Sequence, residues 1–162
     1  MKSLPLPWLL VVALWGCSQE PARAPNPVRP IDEPRAVRII ANAIRDAGKM
    51  PIAPRSIQLE GGDSLQIDVG VSGRQLGVAY VTDSDRKTMK GLGSPTSPDD
   101  LLVMHGIGPD IETRVLIMRA ENYMSDDNTV GDQREASTVT AENRISRDVR
   151  DFLVQAESAK WP

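Results

Sequence analysis

"LQIDVGVSGRQLGVAYV", Leu65 to Val81, is the stretch on which the fold turns. Leu65, Ile67, Val69 and Val71 alternate with Gln66, Asp68, Gly70 and Ser72, the period of a strand that buries one face and wets the other. Ser72-Gly73-Arg74 reads as a turn, and Leu76 to Val81 supplies the next apolar run. Upstream, Ile57 and Leu59 run into Glu60-Gly61-Gly62-Asp63, a turn that makes a hairpin with the strand at Leu65. Three meandering strands are expected.

Helical periodicity flanks this sheet on both sides. Asp32-Glu33-Pro34 is an acidic start, Val37, Ile40, Ala41, Ile44 and Ala47 form an i, i+3, i+4, i+7 stripe, and Gly48 is a stop. Near the other end, Ile145, Val149, Phe152, Leu153 and Ala156 share one helical face behind the cap candidates Ser137, Thr138 and Thr140. Arg144 and Asp148, and Arg147 and Asp151, stand at i, i+4 and read as a solvated ladder. Arg114 to Tyr123 contains Val115-Leu116-Ile117-Met118 and is expected to be a fourth, more deeply buried strand. The predicted fold is α+β: a four-stranded antiparallel sheet with an N-terminal and a C-terminal helix packed on it. Asp83 to Thr113 connects the third and fourth strands through 31 residues, with four glycines and three prolines. That is far longer than an ordinary loop. Leu101 to Met104 within it are expected to pack against the sheet.

Composition narrows the functions. The chain has 19 basic and 22 acidic side chains among 162 residues, so no overall basic field draws it to nucleic acid. A single cysteine, Cys17, leaves no disulfide pair, and a single histidine, His105, excludes His-paired metal sites. Beyond residue 16 the aromatic side chains are Tyr80, Tyr123, Phe152 and Trp161, poor equipment for stacking sugars or bases.

The N-terminus has the order of a signal peptide: Lys2, an apolar run from Leu4 to Leu14, then small Gly16 before Cys17. The run is too short to span a bilayer, which takes roughly 20 apolar residues. Leu14-Trp15-Gly16-Cys17 resembles the lipobox of bacterial lipoproteins. That resemblance implies cleavage before Cys17, diacylglyceryl attachment to its thiol and acylation of the new amino group. Three acyl chains exceed the two signals that stable anchoring takes. Ser18, rather than Asp, after the cysteine resembles outer-membrane sorting in Gram-negative lipoproteins. An ordinary secretory cut after Ala22-Arg23-Ala24 is opposed by Pro25. Residues 1–16 are therefore expected to be the signal, 17–34 the lipidated cysteine and a tether with five prolines, and 35–162 one domain.

Candidate sites lie mostly in the long connection. Gly106-Ile107-Gly108-Pro109 resembles the turn of the helix-hairpin-helix DNA-binding motif, which implies backbone amides at a helix N-terminus holding a phosphate. In this chain Asp110 and Glu112 stand where that motif has a basic and a small residue. Asp126 to Asp132 fits part of a calcium loop but has Val130 and Ser137 at ligand positions. Neither a G-x-S-x-G elbow nor a partner for His105 orders a nucleophile. The expected function is a non-enzymatic, exported envelope lipoprotein, held to the membrane by Cys17, without cofactor or metal. Its domain is expected to bind a protein or envelope component through Arg86, Lys87, Lys90, His105, Gly106 and Gly108. DNA binding at the Gly106 turn is the alternative, and a hydrolase using His105 a third reading.

Overall fold

The computed structural model describes residues 28–59, 62–89, 92, 100–125 and 132–158, with the backbone alone at 132–137. Cys17, Lys90 and the Asp126–Gly131 part of the calcium-loop candidate lie outside the described residues. In chain order the elements are β1 (Arg29–Pro30), α1 (Glu33–Asp46), β2 (Pro51–Ile52), β3 (Arg55–Gln58), β4 (Ser64–Ile67), β5 (Val69–Val71), β6 (Leu76–Val81), α2 (Asp83–Thr88), β7 (Leu102–His105), β8 (Arg114–Arg119), β9 (Met124–Ser125) and α3 (Asp132–Ser158).

The fold is α+β. The expected four-stranded antiparallel sheet is replaced by a five-stranded mixed sheet in the order β2-β5-β6-β8-β7, where β6 and β8 run parallel and the other pairs antiparallel. Two parallel neighbours need a crossover of a dozen or more residues, and the long connection is that crossover. Its apolar run Leu102–His105 becomes the edge strand β7, antiparallel to β8.

The alternation from Leu65 to Val71 hides a change of face. A straight strand would send Leu65, Ile67, Val69 and Val71 to one side, but the chain bends at Asp68 and splits into β4 and β5. Leu65 and Ile67 join Ile57, Leu59, Ala79, Val81, Val115 and Ile117 in one core. Val69 and Val71 join Val78, Tyr80, Leu116, Met118 and both long helices in the other. The hairpin β3–β4 thus leaves the main sheet and covers its second face. The molecule has three layers: helices, mixed sheet, hairpin. Val115 to Met118 are all buried because β8 has a layer on each side, as its unbroken apolar run predicts.

Packing at the bend is close. A Cβ on Gly77 of β6 would stand 2.5 Å from Cγ2 of Ile67, which is fully buried. Only glycine lets the hairpin lie against β6 there.

Helix α1 forms where expected. Asp32 caps it by accepting from the Arg35 amide at 3.0 Å, and its last turn closes through Gly48 and Lys49 amides onto Arg45 and Ile44 carbonyls. Helix α3 starts earlier than expected, at Asp132, so Ser137, Thr138 and Thr140 lie inside it rather than capping it. Arg35 bridges Glu142 at 2.6 Å and Lys49 bridges Glu157, so α1 and α3 run side by side in the same direction. The domain also reaches back past residue 35. Arg29 and Pro30 pair with Ser125 and Met124, and Ile31 is buried with its carbonyl accepting from the Tyr80 hydroxyl at 2.8 Å. The prolines that suggested tether here serve as a strand edge and a first helical turn, two positions that need no amide hydrogen.

A candidate anion-binding groove

The residues expected to form a binding loop do not converge. Arg86 lies on α2, where it bridges Asp83 at 3.2 Å and Glu121 at 2.9 Å, and Lys87 is exposed beside it. Asp85 completes a capping box with Thr82. His105 stands exposed at the end of β7, across from Arg114.

Gly106 and Gly108 sit in a turn between two strands, β7 and β8, so the two helices of the DNA-binding hairpin are not formed. Gly108 has φ of +58°, and a Cβ on Gly106 would stand 2.6 Å from the Asp110 carbonyl oxygen. The amides that would hold a phosphate are engaged within the fold. Gly106 donates to the Thr113 carbonyl at 3.1 Å and Ile107 to the Gln58 carbonyl at 3.0 Å. Asp110 binds Arg55 at 2.8 Å, and Arg55 reaches the fully buried Thr113 at 3.0 Å. These glycines bolt the hairpin layer to the sheet.

A basic site does form on α3. Ala141, Ile145, Val149, Phe152 and Leu153 are buried and fix the rotation of the helix. That rotation places Thr140, Asn143, Arg144, Arg147 and Arg150 around a groove of about 530 Å³. Arg144 and Arg147 also line a recess of about 20 Å³ with Arg119 of β8, Asp100, Asn122 and Tyr123. The guanidinium of Arg119 is largely buried, its side chain 14% exposed.

Side-chain hydrogen bonds tie the recess together. Asp148, expected on a solvated face, is 8% exposed. One carboxylate oxygen accepts from the Tyr123 hydroxyl at 2.9 Å, and the other from Arg147 Nε at 3.1 Å and Nη2 at 2.9 Å. Arg147 therefore pairs with its neighbour Asp148. Burial, and then the Asp148 charge, push the Tyr123 hydroxyl far above the ordinary tyrosine range. It stays a neutral donor. The Asp148 carboxylate thus holds the Tyr123 hydroxyl on one oxygen and the Arg147 guanidinium on the other.

A second concavity, of about 260 Å³, lies between α1, β4 and α2 and is lined by Glu33, Ser64, Gln66, Asp68, Asp85 and Thr88 among others. Asp68 Oδ2 accepts from the Tyr80 amide at 2.6 Å. Burial raises its pKa to about 6, against the opposing Tyr80 hydrogen bond and with help from Glu33 and Asp85. Its shifted pKa follows from its place as a sheet partner. Among the described residues, no group of three or more His, Cys, Asp or Glu side chains is placed to hold a metal ion.

No single residue pattern announced the groove. Arg144 and Arg147 were visible, but Arg119 joins them only through the parallel β6–β8 pairing. Comparison with family models, curated proteins and solved structures finds nothing that matches this chain.

Proposed function

We propose that this chain is a lipid-anchored envelope protein whose domain binds an anionic envelope component at the arginine groove and catalyses no reaction. The observation that carries the binding role is the placing of Arg144, Arg147 and Arg150 on one face of α3 along a groove, Arg144 and Arg147 also lining the small recess that holds Arg119. Guanidiniums match carboxylate and phosphate oxygens through paired N–H donors. The anchoring rests on the lipobox resemblance at Leu14 to Cys17. With β1 at Arg29–Pro30 part of the fold, the stretch left for a tether is at most residues 17–28, about 35 Å if extended as polyproline helix. It enters the domain through β1, and Ile31 at the end of β1 bonds to the carbonyl of Tyr123, which lines the recess.

The test is fractionation followed by capture. Wild type is expected in the detergent phase as a lipid-modified chain, and Cys17→Ser outside it or as precursor. Capture from solubilised envelopes should be lost on Arg150→Glu. Identical partitioning of wild type and Cys17→Ser refutes the anchor, and capture indifferent to Arg150 refutes the groove.

A further inference from the structure

We propose that the outer edge of β4 takes an extended, lysine- or arginine-bearing segment of a partner protein as an added strand. This surface shares no lining residue with the arginine groove and stands independently of it. In its sheet β4 pairs with β3 alone. The register decides which main-chain groups are left over. Leu59 donates to the Asp63 carbonyl at 2.8 Å, so Ile57 and Leu65, two residues along each strand, are the next hydrogen-bonded pair. Ser64 and Gln66 therefore turn their amides and carbonyls away from β3. Among the described residues no strand pairs with that edge, and both residues are exposed. An edge of this kind is a template for another chain.

The edge borders the concavity of about 260 Å³ between α1, β4 and α2. That space exists because β4 parts from the main sheet at Asp68. Arg114 donates to the Gln75 carbonyl at 2.8 Å, so the odd residues of β6 face β8, and Val78 and Tyr80 face the side of β5. The pairing of β5 with β6 ends at Val78. Beyond it the Asp68 carboxylate accepts the Tyr80 amide at 2.6 Å in place of a strand. Leu65, Val81 and Met89 line the same concavity and offer an apolar seat to alternate side chains of an added strand.

Charge decides the occupant. Glu33 of α1, Asp68 at the bend and Asp85 of α2 bring three carboxylates to the concavity, and none of its lining residues is basic. Two copies of β4 meeting edge to edge would bring the carboxylates of both together, so the charges oppose self-association and favour a cationic side chain. Main-chain pairing supplies affinity, and the cation sets the register. Burial raises the pKa of Asp68 to about 6, and a cation beside it favours the ionised form. Glu33 and Asp85 are the other carboxylates facing it, and Tyr80, pushed above the ordinary tyrosine range by burial, stays neutral. Binding therefore strengthens as pH rises through 6.

The experiment uses the full chain carrying Cys17→Ser and follows amide hydrogen exchange, read as protection factors. The probes are two synthetic heptapeptide mixtures, with Thr and Val randomised around a central Lys in one and a central Glu in the other. In the free chain the Ser64 and Gln66 amides are expected to exchange as open amides. The lysine mixture should protect both roughly tenfold or more, at lower peptide concentration above pH 6 than below it, and the glutamate mixture should not. Ser64→Pro removes an outward amide at the first residue of β4, where the β3 ladder does not need it, and should abolish the response. Glu33→Gln and Asp68→Asn should each raise the lysine-peptide concentration needed roughly tenfold. Melting curves separate loss of binding from loss of fold, and if Ser64→Pro melts early the two charge variants carry the test. Protection of Ser64 and Gln66 before any peptide is added shows the edge already filled and overturns the proposal. Equal response to both mixtures overturns the cation, and no response overturns the edge. Protection that grows with protein concentration alone overturns the partner and assigns the edge to a second copy.

Discussion

Asp68 is a residue whose meaning changes between sequence and structure. In the alternating run it is a wet-face residue. In the fold it is the corner where the chain leaves one core for the other, and its carboxylate stands in for a strand by accepting the Tyr80 amide. The ionised form is disfavoured there, with a folded pKa of about 6 against 3.8 for the free side chain. The folded state therefore holds a proton that the unfolded state has lost between those values. Stability from this group is full below pH 4 and is lost as pH rises through 6. Asp68→Asn keeps an acceptor for Tyr80 and removes the charge. Relative to wild type it should gain about 1 kcal/mol between pH 4 and pH 7, the full shift being discounted for partial exposure. Urea melts at the two pH values check this, and a constant difference rejects the assignment. Gly77 is the second such residue. Gly77→Ala should cost about 1–3 kcal/mol through overpacking against Ile67. Adding Ile67→Val or Ile67→Ala tests the contact, because a shared clash makes the double variant less unstable than the two losses added together.

At the scale of elements, legibility followed periodicity. The α1 stripe and the α3 face, with Ile145, Val149, Phe152 and Leu153, are local patterns, and both are buried as the spacing requires. What failed depended on partners distant in sequence. Leu102–His105 is four residues long and became a strand only because β8 offers an edge. The split at Asp68 has no local mark, since alternation is the same on either side of a bend. The small recess under the arginines needed β8 and α3 together. The long connection shows the cost of reading length as freedom. It holds a capped helix, and Met89 and Leu92 pack against the hairpin-side core. Replacing Arg86–Pro98 by a short Gly-Ser linker should therefore destabilise the domain by about 1–3 kcal/mol. It also removes the Arg86–Glu121 bridge. Unchanged melting would show that the segment contributes nothing to the core.

For the molecule as a whole, the fold includes β1 and the buried Ile31, ahead of Arg35. A chain starting at Val28 should melt where the full chain does, whereas one starting at Arg35 lacks buried Ile31, the Asp32 cap and the acceptor of the Tyr80 hydroxyl. Those losses together amount to roughly 3–6 kcal/mol. Calorimetry on the two truncations checks it, and equal melting temperatures would move the boundary back to 35. The same topology joins the first helix to the last: α1 packs on α3, and the central pair β6–β8 closes over the whole crossover. Contacts so distant along the chain form late, because loop closure must precede them. A polypeptide threaded N-terminus first through a membrane pore, as the proposed anchor requires, cannot complete this core while its last quarter is still on the near side. It stays slack enough to pass, and the final helix to arrive is the one that locks the domain and lays out the arginine groove.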